Sequence, residues 1–260
     1  MLNIESLLRL TRVNEYLKGL FLVFPLIFLV SPQNLFTYTS IIIFLANLFL
    51  TAFSFTFNDI EDAEDDYQDT IKRVRNTITS KELTKKQGYS LSLFLLLTGL
   101  TLHYIISPIV FILGLISTLI GFLYSWKPVR LKAIPIIDLI SHVIFLGTLQ
   151  LLVTYLAFRK LDLLVIPYLM IIIPYSLMIQ ISGELTDFKV DKKTKITNTI
   201  QKFGEFDLKK TLIILSVITI AGFSVLIFTL SLENRIIGLL ITLVIGIMTF
   251  FNLHARICML

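Results

Sequence analysis

The chain has 260 residues, of which 55% are hydrophobic and only 16% charged, with a mean hydropathy of +0.84. A soluble domain carries about 25% charged residues, so this composition excludes a water-soluble globular protein and points to a membrane-embedded one. The formal net charge of +5 needs no nucleic acid to explain it, because the basic residues sort by topology. The single cysteine, Cys258, leaves no pair for an intramolecular disulfide, and as the third residue from the end it is not a prenylation box.

In chain order, eight apolar runs are long enough to be read as transmembrane helices: 15–31, 40–57, 89–106, 108–125, 134–157, 163–182, 211–230 and 235–254. The first is short and relies on Lys18 reaching to the interface. It follows a mixed-charge segment with Arg9, Arg12 and Glu15, which is no cleavable signal pattern. The third and fourth meet at Ser107 and Pro108, which predicts a tight hairpin. Of the 23 Lys and Arg, all but Arg159, Lys160 and Arg235 fall on one side of this layout. The positive-inside rule makes that side cytoplasmic.

Two long polar segments, 58–88 and 183–210, interrupt the pattern. Helix connections in bundles run about 2–8 residues, so segments of this length are more often functional or disordered. Each follows the second run of a four-run half. The predicted fold is therefore an all-α, polytopic membrane bundle. It forms one domain over 1–260, with two parallel four-helix halves, about 1–132 and 133–260, around a central cavity.

Both polar segments open with carboxylates at the same spacing. Asp59, Asp62 and Asp66 are three then four residues apart, and so are Glu184, Asp187 and Asp191. On a helix each set shares one face. Glu61, Glu64, Asp65 and Asp69 crowd the first set further. Like charges at about 6 Å repel by roughly 3 kcal/mol at an effective dielectric near 20, which is poor folding design without a cation. Mg²⁺ is a hard ion held by one or two carboxylates plus phosphate oxygens, so two such half-sites could grip one diphosphate. Asp62, Asp66, Asp187 and Asp191 are the candidate catalytic residues. Arg73, Arg75, Lys127, Arg130, Lys132 and Lys189 surround them as candidate diphosphate contacts.

Asn58-Asp59-x-x-Asp62-x-x-x-Asp66 resembles the first aspartate-rich motif of the UbiA superfamily of intramembrane prenyltransferases, and Asp187-x-x-x-Asp191 resembles the second. The segment from Tyr124 through Lys127 to Arg130, Leu131 and Lys132 is similar to one found between that family's fourth and fifth helices. The resemblance implies Mg²⁺, a polyprenyl diphosphate donor and a hydrophobic acceptor, aromatic or lipid, within the bilayer. It implies that Asn58, Asp59, Asp62 and Asp66 hold one ion and Asp187 and Asp191 another, with Arg73 and Lys127 on the diphosphate. Three features depart from the family pattern: eight runs where nine helices are usual, Asn76-Thr77 where a proline often stands second, and Lys81 where a glycine often follows.

Phe53, Phe55, Phe57, Phe122 and Tyr124 lie near the proposed mouth and could stabilise an allylic cation. Asp138 and His142, four apart at the start of the fifth run, form an intramembrane ionisable pair. With Tyr124 and Glu184 they are candidates for acceptor orientation or cation stabilisation. Two rivals share these features: a terpene cyclase on the same scaffold, and a cation or metabolite transporter. Transporter sites lie near the bilayer midplane, whereas these acids cluster at helix ends.

Overall fold

The computed structural model describes residues 4–21, 23–194, 197–203 and 208–230, with the backbone alone for Lys18 and for residues 189–191, 193, 194, 208 and 209. Among the described residues every regular element is helical. Six helical segments are long and apolar enough to cross a membrane: Tyr38–Asp66, Lys85–Ile106, Pro108–Ser125, Ile137–Phe158, Val165–Phe188 and Lys210–Thr229. They coincide with the second to seventh apolar runs, and the chain is a multi-pass integral membrane protein. The eighth run, 235–254, lies outside the described residues.

The first run departs from expectation. Three short helices, α1 (Ile4–Leu10), α2 (Val13–Leu20) and α3 (Val23–Val30), replace a single span over 15–31. Eight residues rise only about 12 Å, well short of a bilayer. Pro25 accounts for the break. Its ring would collide with the carbonyl of Phe21 in a continuous helix, but it is tolerated in the first turn of a new one.

The two longest helices bring the acids out of the membrane. α4 (Tyr38–Asp66) has 29 residues and, at about 1.5 Å per residue, overruns a hydrocarbon core of about 30 Å by about two and a half turns. Its surplus is the first acidic set. Asp69 then caps α5 (Thr70–Arg75), accepting from the amides of Ile71 at 2.7 Å and Lys72 at 2.8 Å. Those amide bonds hold its carboxyl below the usual aspartate range. A capping box between Thr84 and Gln87 starts α6 (Lys85–Ile106). Ser107 caps α7 (Pro108–Ser125) with Pro108 at its first position, giving the expected hairpin.

The next span is composite: α8 (Ile137–His142), a π-helical turn over Val143–Thr148, and α9 (Leu149–Phe158). α10 (Val165–Thr194) is 30 residues long and overruns the membrane as α4 does, carrying the second acidic set. α11 (Thr199–Phe203) and α12 (Leu208–Thr229) complete the described chain.

Small residues and polar bonds join the spans, as membrane bundles require. A Cβ on Gly99 of α6 would come within 2.6 Å of Leu50, and one on Gly88 within 2.9 Å of Ile60, so α6 lies close against α4 only because both are glycine. In the bundle interior Asn47 donates to Thr154 at 3.2 Å and Gln150 to Thr51 at 2.6 Å, tying α4 to α9.

Candidate functional site

The end of α4 is the centre of a dense polar mouth. Asn58 Nδ2 donates to Asp62 Oδ2 at 3.0 Å, so those two residues share a helix face. The segment after α7 closes over them. Ser125 Oγ and Lys132 Nζ both donate to Asn58 Oδ1, at 3.0 and 2.9 Å. Arg130 lies 2.8 Å from Asp62 and also pairs with Asp65, and Lys132 pairs with Asp62. Arg130 is itself in the left-handed region, φ 48°. Burial works against its charge, but Asp62 and Asp65 outweigh that and lift its pKa above the ordinary arginine value. Lys127 reaches Glu64 at 2.6 Å, and its amide donates to Glu61 at 3.0 Å.

Asp59 turns to the other side of α4. It is fully buried, with Oδ1 3.4 Å from Arg12 and 3.6 Å from Arg75. Arg12, also at positive φ, lies 4.8 Å over the Phe55 ring and pairs with Glu15. Asp66 accepts from Asn76 Nδ2 at 2.9 Å. The same nitrogen donates to the Asp59 carbonyl at 2.8 Å, and Asn76 Oδ1 accepts from Ile78 N at 3.0 Å. This fully buried asparagine locks the loop after α5 onto the acidic helix end.

The second set divides differently. Glu184 is buried, Asp187 is half exposed, and the side chains of Asp191 and Lys189 lie outside the description. Lys72 of α5 reaches Asp187 at 3.0 Å, so a residue from the first polar segment bridges to the second acidic set. Arg73 instead lies 5.4 Å from the Tyr67 ring.

Sequence reasoning missed Arg12 and Asn76. In the sequence Arg12 is part of the charged lead-in to the first run, and Asn76 is a departure from a family pattern. Their distance in sequence from Asp59 hid their role.

The donor set suits a hard cation, being carboxylate and amide oxygens throughout. Asp59 Oδ2 is buried with no hydrogen-bond partner, and so are Nε of Arg75 and Nε of Arg130. Asp59 Oδ2 and Arg75 Nε on one side of α4, and Arg130 Nε on the Asp62 side, are an unspent acceptor and two unspent guanidinium donors, a set that fits a cation together with an anion. Among the described residues no three acids or histidines converge to enclose a metal alone, which accords with an ion completed by phosphate oxygens.

Comparison with known proteins bears on the fold and the family. The structure of a UbiA homologue from Archaeoglobus fulgidus bound to GPP and Mg²⁺ aligns with a TM-score of 0.76 and 23% identity, over 95% of this chain and 86% of that one. An apo UbiA homologue from Aeropyrum pernix K1 aligns at 0.70 with 14% identity, over 98% and 91%. A digeranylgeranylglyceryl phosphate synthase aligns at 0.61 with 20% identity, over 98% and 87%. These likenesses establish the fold. No curated protein sequence matches at a significant level. The profile of the UbiA prenyltransferase family matches residues 19–258, nearly the whole chain, and the protein belongs to that family.

Proposed function

We propose that the chain is a Mg²⁺-dependent intramembrane prenyltransferase that moves a polyprenyl group from a polyprenyl diphosphate to a hydrophobic acceptor, lipid, isoprenoid or aromatic. The observation that carries this reading is the pairing of unspent groups at the mouth. Asp59 Oδ2 wants a cation, Arg75 Nε and Arg130 Nε want an anion, and both acidic sets border the same opening through Lys72. The relatives that bind GPP or DMAPP together with Mg²⁺ support it.

In this reading Asn58, Asp59, Asp62 and Asp66 hold one ion, and Asp187 and Asp191 the other. Bound Mg²⁺ would neutralise charge that grows on the diphosphate as the allylic C–O bond breaks. Arg75, Arg130 and Lys132 now sit on carboxylates. On donor binding they turn toward the phosphate oxygens and stabilise the leaving group. Lys127, Arg73 and Lys189 stand at the rim. Phe57 and Phe122, 4.8 Å apart, with Trp126 beyond, offer aromatic faces to the allylic cation. The spans wall off water that would quench it. The mouth faces the cytoplasm, and the bundle is built as two parallel halves.

The test separates chemistry from folding. Asp62→Asn and Asp187→Asn are each expected to lower Mg²⁺-dependent diphosphate release by about 100- to 1,000-fold, with membrane insertion and melting near native. Full release by either variant would remove the metal-site assignment. Product analysis with donor alone distinguishes the cyclase, which would yield a cyclised hydrocarbon.

A further inference from the structure

Just inside the mouth, α7, α8 and α10 present six polar side chains to one another: Tyr124, Asp138, His142, Ser176, Gln180 and Glu184. Their hydrogen bonds divide them into two kinds. Asp138, fully buried, accepts from the amide and the hydroxyl of Thr199 and from Leu139 N. Glu184 accepts from Ile200 N at 3.3 Å and from Gln180 at 2.9 Å, and Gln180 also donates to the Tyr124 hydroxyl at 2.9 Å. Both carboxyls are therefore committed to holding the start of α11 against α8 and α10.

His142 is different. It is 91% buried, being 9% exposed, and Nδ1 lies 3.3 Å from Ser176 Oγ. Nε2 has no hydrogen-bond partner among the described residues. The rings of Tyr124 and Phe145 stand 6.5 and 6.0 Å from the imidazole and 5.3 Å from each other. The π-helical turn begins at the next residue, and such turns recur at functional sites. Its widened backbone leaves the Phe145 carbonyl to accept from Ser117 Oγ at 2.9 Å. The group adjoins the acids, since Ser125, next to Tyr124, bonds Asn58, and Glu184 is one turn below Asp187. No Lys or Arg occurs in 108–125, 137–158 or 165–188, so this wall offers no cation to a phosphate or carboxylate.

We propose that His142 is the catalytic base of the transfer, and that the acceptor is a neutral molecule reacting through an alkene or aromatic carbon held against Tyr124 and Phe145. This rests on the prenyltransferase reading above. The allylic C–O bond of the donor breaks and its electron pair leaves with diphosphate. A π pair of the acceptor forms the new C–C bond, leaving a cation on the acceptor that the two aromatic faces stabilise. A neighbouring C–H bond breaks, its electrons restore the double bond, and the proton goes to Nε2 of His142. With the proton on Nδ1 and donated to Ser176 Oγ, Nε2 is left free to accept, and this tautomer is part of the proposal.

The experiment reads ionisation and transfer separately. Reconstituted protein receives Mg²⁺, geranylgeranyl diphosphate and a total lipid extract as the acceptor probe, and released diphosphate and prenylated lipid are both quantified. His142→Gln keeps polarity and His142→Phe keeps ring packing. Both are expected to release diphosphate within about threefold of the native rate. Prenylated lipid should fall about 100-fold, with the shortfall recovered as prenyl alcohol. Native lipid yield in either variant overturns the proposal, and so does a parallel loss of both readouts in both variants. If the native chain releases diphosphate but forms only prenyl alcohol, the neutral carbon acceptor is rejected. If the native chain releases no diphosphate, it is the prenyltransferase reading that fails.

Discussion

The two acidic sets have one spacing and two environments. On α4, Asp59 meets Arg12 and Arg75, Asp62 meets Arg130 and Lys132, and Asp66 meets Asn76 and, at 3.9 Å, the same Arg75. On α10, Glu184 turns inward to the start of α11 while Asp187 reaches outward to Lys72. Three-then-four spacing aligns side chains along a helix, but about 100° per residue still fans them over a broad face. What arrives from the rest of the chain then decides what each member contacts. The first set is an assembled mouth, and of the described members of the second, Asp187 is half exposed and Glu184 is buried.

The sharpest way to break this contrast is to remove a supporting residue from each side. Asn76→Ala strips donors from Asp66 and from the Asp59 carbonyl, and an acceptor from Ile78 N. Each buried group left unsatisfied costs about 1–3 kcal/mol, and loss of a residue that orients ligands weakens metal binding about 10- to 100-fold. A thermal melt and a Mg²⁺ titration of diphosphate release should therefore both shift. Glu184→Leu exposes the contrast from the other side. It orphans Ile200 N and leaves Gln180 with Tyr124 as its acceptor, at a similar cost of about 1–3 kcal/mol, yet Mg²⁺ half-saturation should stay native. A tenfold or larger change in Mg²⁺ dependence for Glu184→Leu would make the two sets chemically equivalent after all.

Much of the scaffold was legible because apolar run length is a direct physical requirement of the bilayer. Six runs became six spans, four of them within four residues of their expected ends, while the helices expected to end at 57 and 182 run on to Asp66 and Phe188. The acids at the ends of α4 and α10 were legible because charge cannot sit in an apolar run. The break between α2 and α3 was readable from Pro25, whose missing amide and fixed φ outweigh the hydropathy that suggested one span. The roles of Arg12 and Asn76 were not readable. Each depends on a contact across dozens of residues or on loop geometry that no local pattern encodes. The π-helical turn likewise has no periodic signature in Val143–Thr148.

Lys81 provides the smallest and most discriminating test of what a family departure means. The resembling pattern places a glycine near this position, and Lys81 is found at φ 63°, the left-handed region glycine favours. The neighbouring amide of Leu83 bonds the Thr77 carbonyl at 3.0 Å, and Ser80 N bonds Asn76 O at 2.9 Å, so the loop that anchors Asn76 imposes this turn. A lysine there bears a strain of about 1 kcal/mol, whereas glycine removes the strain and adds about 0.5–1 kcal/mol of unfolded-state entropy. The two effects nearly cancel, so Lys81→Gly should melt within about 0.5 kcal/mol of the native chain. Lys81→Val should lose about 1–2 kcal/mol, because a β-branched residue at positive φ is far more strained. Equal stabilities for the valine and glycine variants would mean that this loop does not hold its turn. Asn76 would then lack the rigid support that its grip on Asp59 and Asp66 requires.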